Sequence, residues 1–189
     1  MTILRTLLAA VIAIASAQVV LAQADTTTAT TKPTTQPGGL VDYKKLKEML
    51  PEKLGGLKRT EATGERTGFG EIKISTARAS YVQDENNGDS PRIELQIFDY
   101  GTNKQMLEGM AMWTKMEVDR EGDDGFQKSL KIQDQPAMQT YTNEGKSGQL
   151  QLLVGDRFLV SINTAALSVE QFKKIGDELK LKELAALAK

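Results

Sequence analysis

Four methionines crowd one stretch of this chain: Met106, Met110, Met112 and Met116 stand among Leu107, Ala111, Trp113 and Val118. Thioethers are soft ligands, and several sulfurs converging on one point would suit Cu(I). They are also unbranched and polarizable, so a surface rich in them can repack around a partner helix or an apolar ligand. At about 100° per residue, Met106, Leu107, Met110, Ala111, Trp113 and Val118 spread over one broad arc of a helix. Glu108, Lys115 and Asp119 form the opposite strip, which Met112 and Met116 flank. The default for so wide an apolar arc is core, with the helix between a sheet and another layer and the thioethers filling irregular gaps. A copper site needs sulfurs on one side, and here they fall on two, with Trp113 between them. The sharper expectation is a binding face made of Trp113, Met110, Met112 and Met116, with Met112 and Met116 best placed to stay exposed.

The rest of the catalytic menu is short. The chain has no cysteine and no histidine, which excludes disulfides, thiolate chemistry, imidazole catalysis and the commonest zinc sites. Carboxylates, lysines, tyrosines and serines remain. A carboxylate pair could hydrolyse a glycosidic bond, but the acids here fall in turns and on helix surfaces. Ser80, Ser161 and Ser168 occupy strand or cap contexts without a nucleophile elbow, and the glycines over 63–70 lack the Lys and Ser/Thr ending of a phosphate loop. The cluster 84–89 invites calcium. A calcium loop, however, wants glycine at its sixth position and a bidentate acid at its twelfth, and counting from Asp84 gives Asp89 and Leu95. Asn87-Gly88 reads instead as a turn. The acidic stretch 121–125 reads the same way. No catalytic residue, metal site or cofactor is therefore expected. The alternatives to plain binding are a carboxylate-based hydrolase of an envelope substrate and a Met-rich protein for an apolar ligand or Cu(I).

The N-terminus gives the address. Arg5 precedes an apolar run over 7–15 that continues to Leu21, and Ala22-Gln23-Ala24 supplies the small residues that a signal peptidase reads. Residues 1–24 are expected to be a signal peptide, placing the mature protein in a periplasm or outside the cell. The run is shorter than the roughly 20 residues a spanning helix needs, so no stable membrane insertion is expected after cleavage. Residues 25–39 are almost entirely small, polar or proline and should form a disordered leader. Asp25-Thr26-Thr27 also matches a short acceptor pattern for O-glycosylation, although a spacer explains it as well. Removing the signal takes away Arg5 and no acid, which moves the net charge from −1 to −2. Nothing in that balance attracts nucleic acid. The partner expected is an envelope protein or an apolar ligand.

Residues 40–189 should fold as one domain. Asp42 can cap a helix over 41–50 that Pro51 ends. Residues 58–65 make a poor strand. Residues 71–82 make a good one, whose Ile72 and Ile74 are out of phase with Ala77, Ala79 and Tyr81, predicting a bulge. After a polar turn, 92–98 alternates through Ile93, Leu95 and Ile97. A helix over 103–119 carries the methionines. Strands follow at 126–132, 137–142, 149–154 and 157–162, with tight connections at 143–148 and 155–156. Ser168 and Gln171 form a capping box for a last helix striped by Val169, Phe172, Ile175 and Leu179. The fold class expected is α+β, an antiparallel sheet of about six or seven strands covered by helices. From residue 136 onward, the Pro-Ala strand, the glycine-containing hairpin, the segment Leu153-Val154-Gly155-Asp156-Arg157-Phe158-Leu159-Val160 and the Ser-capped helix resemble PsbP-like α/β/α domains and a group of uncharacterised exported bacterial proteins. The resemblance implies a sandwich fold and a role in assisting or binding other proteins, and it includes no motif that carries chemistry.

Overall fold

A computed structural model describes residues 39–69, 72–101 and 103–189, without the side chains of Phe69, Lys104, Met106 and Met110. The expected signal peptide and all of the expected leader except Gly39 lie outside the described residues.

Strand alternation dominates the chain. Helix α1 (Tyr43–Glu48) leads into β1 (Lys53–Leu54), β2 (Leu57–Phe69), β3 (Ile72–Val82) and β4 (Arg92–Asp99). Helix α2 (Lys104–Met110) and a 3-10 turn (Met112–Lys115) precede β5 (Asp119–Gly122), β6 (Gly125–Ile132), β7 (Gln135–Thr142), β8 (Ser147–Val154) and β9 (Phe158–Ala165). Helix α3 (Val169–Lys174), a 3-10 turn (Ile175–Glu178) and α4 (Leu181–Ala186) complete it. Among the described residues all nine strands form one sheet, ordered β1-β2-β3-β4-β9-β8-β7-β6-β5 with every pair antiparallel. It consists of two meanders joined where β4 pairs with β9.

The period of two sorts residues between the faces. Ala77, Ala79, Tyr81, Ile93, Leu95, Ile97, Leu150, Leu152, Val160 and Ile162 all point to one face and are buried. Leu46, Phe172, Ile175, Leu181 and Leu184 from the helices close the same core. Close approach is built in with glycine. A Cβ at Gly64 would meet Tyr43 at 2.8 Å, which seats α1 on β2, and one at Gly148 would stand 2.5 Å from the Phe172 ring, which lies over β8. Phe172 then completes an aromatic cluster with Tyr141 and Phe126, centroids 5.5 and 6.4 Å away.

This architecture corrects the expected α+β sandwich. The sheet has nine strands instead of six or seven, and the helices are short segments subordinate to it. Strand β2 eluded pattern reading because an edge-side strand pressed by α1 carries Ala62 and Gly64 where larger apolar residues would mark it. The expected helix over 103–119 ends at Met110. Beyond it the backbone tightens to the 3-10 turn, becomes extended at Met116, and pairs as β5 with β6. Gly109 weakens the helix, and Lys128 of β6 favours the hairpin by bridging Asp119 at 3.5 Å and Glu121 at 2.8 Å. The final helix is broken at 175–180. There the Gln133 side-chain amide donates to the carbonyls of Gly176, Asp177 and Leu179 at 3.3, 3.4 and 3.0 Å, satisfying groups a continuous helix would have satisfied itself. The bulge expected in 71–82 is also misplaced. Strand β3 alternates without interruption, and the irregularity lies in β2 between Arg59 and Glu61. Strand parity puts Ile72 and Ile74 on the second face, in the part of the β2–β3 hairpin that extends beyond β4, whose pairing stops at Ser75.

Candidate functional site

The second face of the sheet is built in cross-strand rows. One row is apolar, with Phe98 of β4, Leu159 of β9 and Leu153 of β8 beside one another, and Met138 of β7 diagonal to Leu153 in the next row. Leu153 and Met138 are buried. The next row reads Arg78, Gln96, Ser161 and Gln151, and the one beyond it Ser80, Glu94, Asn163, Gln149, Thr140 and Gln127. These polar side chains are half-buried or exposed.

Topology decides what covers the apolar row. To pass from β4 in the middle to β5 at the edge, the chain must cross β9, β8, β7 and β6. It crosses on the second face. The 3-10 turn packs against β7, and the Val118 N–H donates to Ser129 Oγ, on the second face of β6, at 2.8 Å. Helix α2 and the methionine turn are therefore a strap over one end of the sheet, leaving the polar rows open to solvent.

The strap separates the predicted site residues. Met112 is 69% exposed and Met116 55% exposed, the two most exposed large apolar side chains among the described residues. Trp113 between them is half-buried. Met110 ends α2, and its side chain, with that of Met106, lies outside the described residues. The expected flanking positions are thus where apolar surface meets water, although the helix from which they were read stops before them. The Thr114 hydroxyl donates to the Ala111 carbonyl at 2.8 Å and the Met116 N–H to the Trp113 carbonyl at 3.0 Å, so the turn that presents the thioethers is internally bonded.

Titratable groups add little chemistry there. Glu121, exposed on the outermost strand, is held below the ordinary carboxylate range by the hydrogen bond and charge of Lys128. The polar cluster over 84–89 spends its oxygens locally: Asp84 Oδ1 accepts from Asn86 N–H and Asn87 Oδ1 from Asp89 N–H, both at 3.0 Å. A wide groove of about 880 Å³ beside α1 mixes Lys44, Lys47, Arg59 and Lys180 with Glu48 and Glu52.

Sequence reading missed one site entirely. Asp99 is fully buried and accepts from Arg157 Nε at 2.8 Å, Arg157 Nη2 at 2.9 Å, the Val41 N–H at 2.6 Å and the Gly101 N–H at 2.8 Å. Arg157 Nη2 also donates to the Gly39 carbonyl at 2.6 Å. Every acceptor direction of the carboxylate is used, so the pair is a structural clasp that fixes the approach to α1 against the start of β9. Its signal was parity: Ile93, Leu95 and Ile97 put position 99 on the buried face. No helix among the described residues is long and apolar enough to cross a membrane. Comparison with protein-family models, with curated proteins and with solved structures finds no match for this chain.

Proposed function

We propose that this chain is a non-catalytic binding protein, exported to the cell envelope, that engages another envelope protein through the turn carrying Met112, Trp113 and Met116. One observation carries the reading: two large thioethers stay exposed, at 69% and 55%, on a hydrogen-bonded turn beside a half-buried tryptophan. Two exposed thioethers beside a half-buried tryptophan make a contiguous apolar patch, the kind of surface that marks an interaction site. The turn is fixed on the sheet, so little backbone order has to be gained on binding, while the thioethers can still adapt to the partner. The adjoining rows of Gln96, Ser161, Gln151, Asn163 and Gln149 offer hydrogen bonds to a partner backbone at the rim. Export rests on Arg5, the apolar run and Ala22-Gln23-Ala24.

A photo-reactive amino acid placed at position 112 of the exported protein tests both parts. Mass spectrometry should find the mature chain beginning at Asp25, cross-linked to a defined envelope protein. Met116→Lys should weaken the cross-link by roughly tenfold, as loss of a central apolar anchor does, without lowering the thermal midpoint. The same probe at Lys182, on α4 behind the sheet, should capture nothing in common. Equal capture from positions 112 and 182, or an intact Met1–Ala24 segment on cytosolic protein, would overturn the reading.

A further inference from the structure

At the other end of the strands from the methionine turn, the β3–β4 turn, the β7–β8 turn and the residues after β9 enclose a cleft of about 360 Å³. Arg92 and Lys146 line it, with Ser90, Asn143, Ala166 and the single carboxylate of Asp89. Arg92 opens β4 on the second face, opposite Ala165. Its Nε is buried and has no hydrogen-bond partner. Neither Arg92 nor Lys146 makes an ion pair among the described residues. A buried guanidinium N–H without an acceptor carries the full cost of its desolvation, and native folds leave few such groups.

The backbone around the cleft is also held out of its ordinary range. Gly145, Lys146 and Ala166 have φ of +69°, +47° and +56°. Lys146 and Ala166 lack glycine's freedom, so their left-handed backbone has to be held by neighbours. The enforcement is visible: Ala166 N–H donates to the Gly145 carbonyl at 3.3 Å and Leu167 N–H to the Lys146 carbonyl at 3.1 Å, locking the two strained segments together.

We propose that this cleft binds a small oxyanion, a carboxylate or a phosphate group, held by Arg92 and Lys146. The geometry supplies two cations without ion-pair partners against one acid in a single cleft. A guanidinium fork matches either anion in two-point fashion, here through its terminal nitrogens, since the Nε itself is closed to solvent. The volume lies at the small end of ligand pockets, which suits a monoester or a short carboxylic acid over a polymer.

Amide NMR of the full chain, titrated separately with inorganic phosphate and with acetate at constant ionic strength, tests this. Saturable shifts are expected over 143–146 and 165–167, and the probe that saturates at lower concentration identifies the anion class. Arg92→Gln should weaken binding by about tenfold or more, Arg92→Lys by less, and Lys146→Gln should weaken it without disturbing the fold, since Lys146 is exposed. Absence of saturation by either probe up to about 50 mM, a concentration that detects even millimolar affinity, would overturn the proposal. So would binding unchanged in both Arg92→Gln and Lys146→Gln.

Discussion

Asp99 shows how much one side chain can organise. Its carboxylate receives both arms of Arg157 and two backbone N–H groups from positions 41 and 101, so a single buried acid closes the start of the fold onto its central strand pair. Asp99→Ala would leave a buried guanidinium and two backbone donors unanswered, and should cost about 3–5 kcal/mol in urea denaturation. A loss under about 1 kcal/mol would mean that water or a rearranged loop replaces the carboxylate. Half of this pair was legible. Position 99 continues the buried parity of Ile93, Leu95 and Ile97, which marks an acid there as needing a partner, whereas Arg157 lies 58 residues away and no local pattern links them. Met112 and Met116 are exposed, whereas the default for their stretch was core, and the helical strip beside which they were placed ends at Met110. Arg92 gave no warning, because an arginine opening a strand is ordinary and only tertiary packing buries its Nε.

At the scale of elements, the tightest joint is that between α3 and β8. Phe172 lies on Gly148 so closely that a methyl group would overlap its ring, and the ring is also held by Tyr141 and Phe126. Gly148→Ala should therefore destabilise by about 1–3 kcal/mol through overpacking, although alanine suits a strand better than glycine does. An unchanged denaturation midpoint would show that the helix can ride outward freely. The start of that helix was readable, because Ser168 and Gln171 close a capping box at 3.2 and 3.3 Å, and Ser168→Ala should remove about 1 kcal/mol. Strong alternation made β4, β6, β7, β8 and β9 readable in the same way. What failed were elements whose state is decided by neighbours. Residues 103–119 have a helical apolar period, yet after Met110 they form a 3-10 turn and an extended lead-in to β5, which begins at Asp119 and pairs with β6. Residues 57–69 have little apolar period, yet they pair along β3 because α1 needs small residues beneath it.

Across the whole molecule, two tyrosines tie loops to the sheet, one in each meander. Tyr81 of β3 donates its hydroxyl to the Pro51 carbonyl at 2.8 Å, and Tyr141 of β7 donates to the Leu167 carbonyl at 2.7 Å. Burial raises the pKa of both above the ordinary 10.0, with Arg59 opposing the rise at Tyr81 and Glu170 adding to it at Tyr141. Tyr100, stacked on Phe98 at 6.1 Å, is raised by burial too. Below about pH 10 these phenols are protonated whether the chain is folded or not, and stability should be flat with respect to them. Above it the unfolded chain releases protons that the folded chain retains, so the folded state binds more protons and stability falls as pH rises. Each tyrosine in that window contributes a slope of up to about 1.4 kcal/mol per pH unit. Urea midpoints should therefore hold steady from about pH 8 to about pH 10 and drop beyond, while tyrosinate absorbance of the folded protein lags behind that of the unfolded chain. Tyr81→Phe and Tyr141→Phe should each begin about 1 kcal/mol or more less stable, since a carbonyl loses its donor, but should lose less between about pH 10 and about pH 11 than the parent does. If the folded protein instead titrates its tyrosines together at the ordinary value with no loss of stability, the two hydroxyl ties are open to water, and the meanders must be held at those points by apolar packing alone.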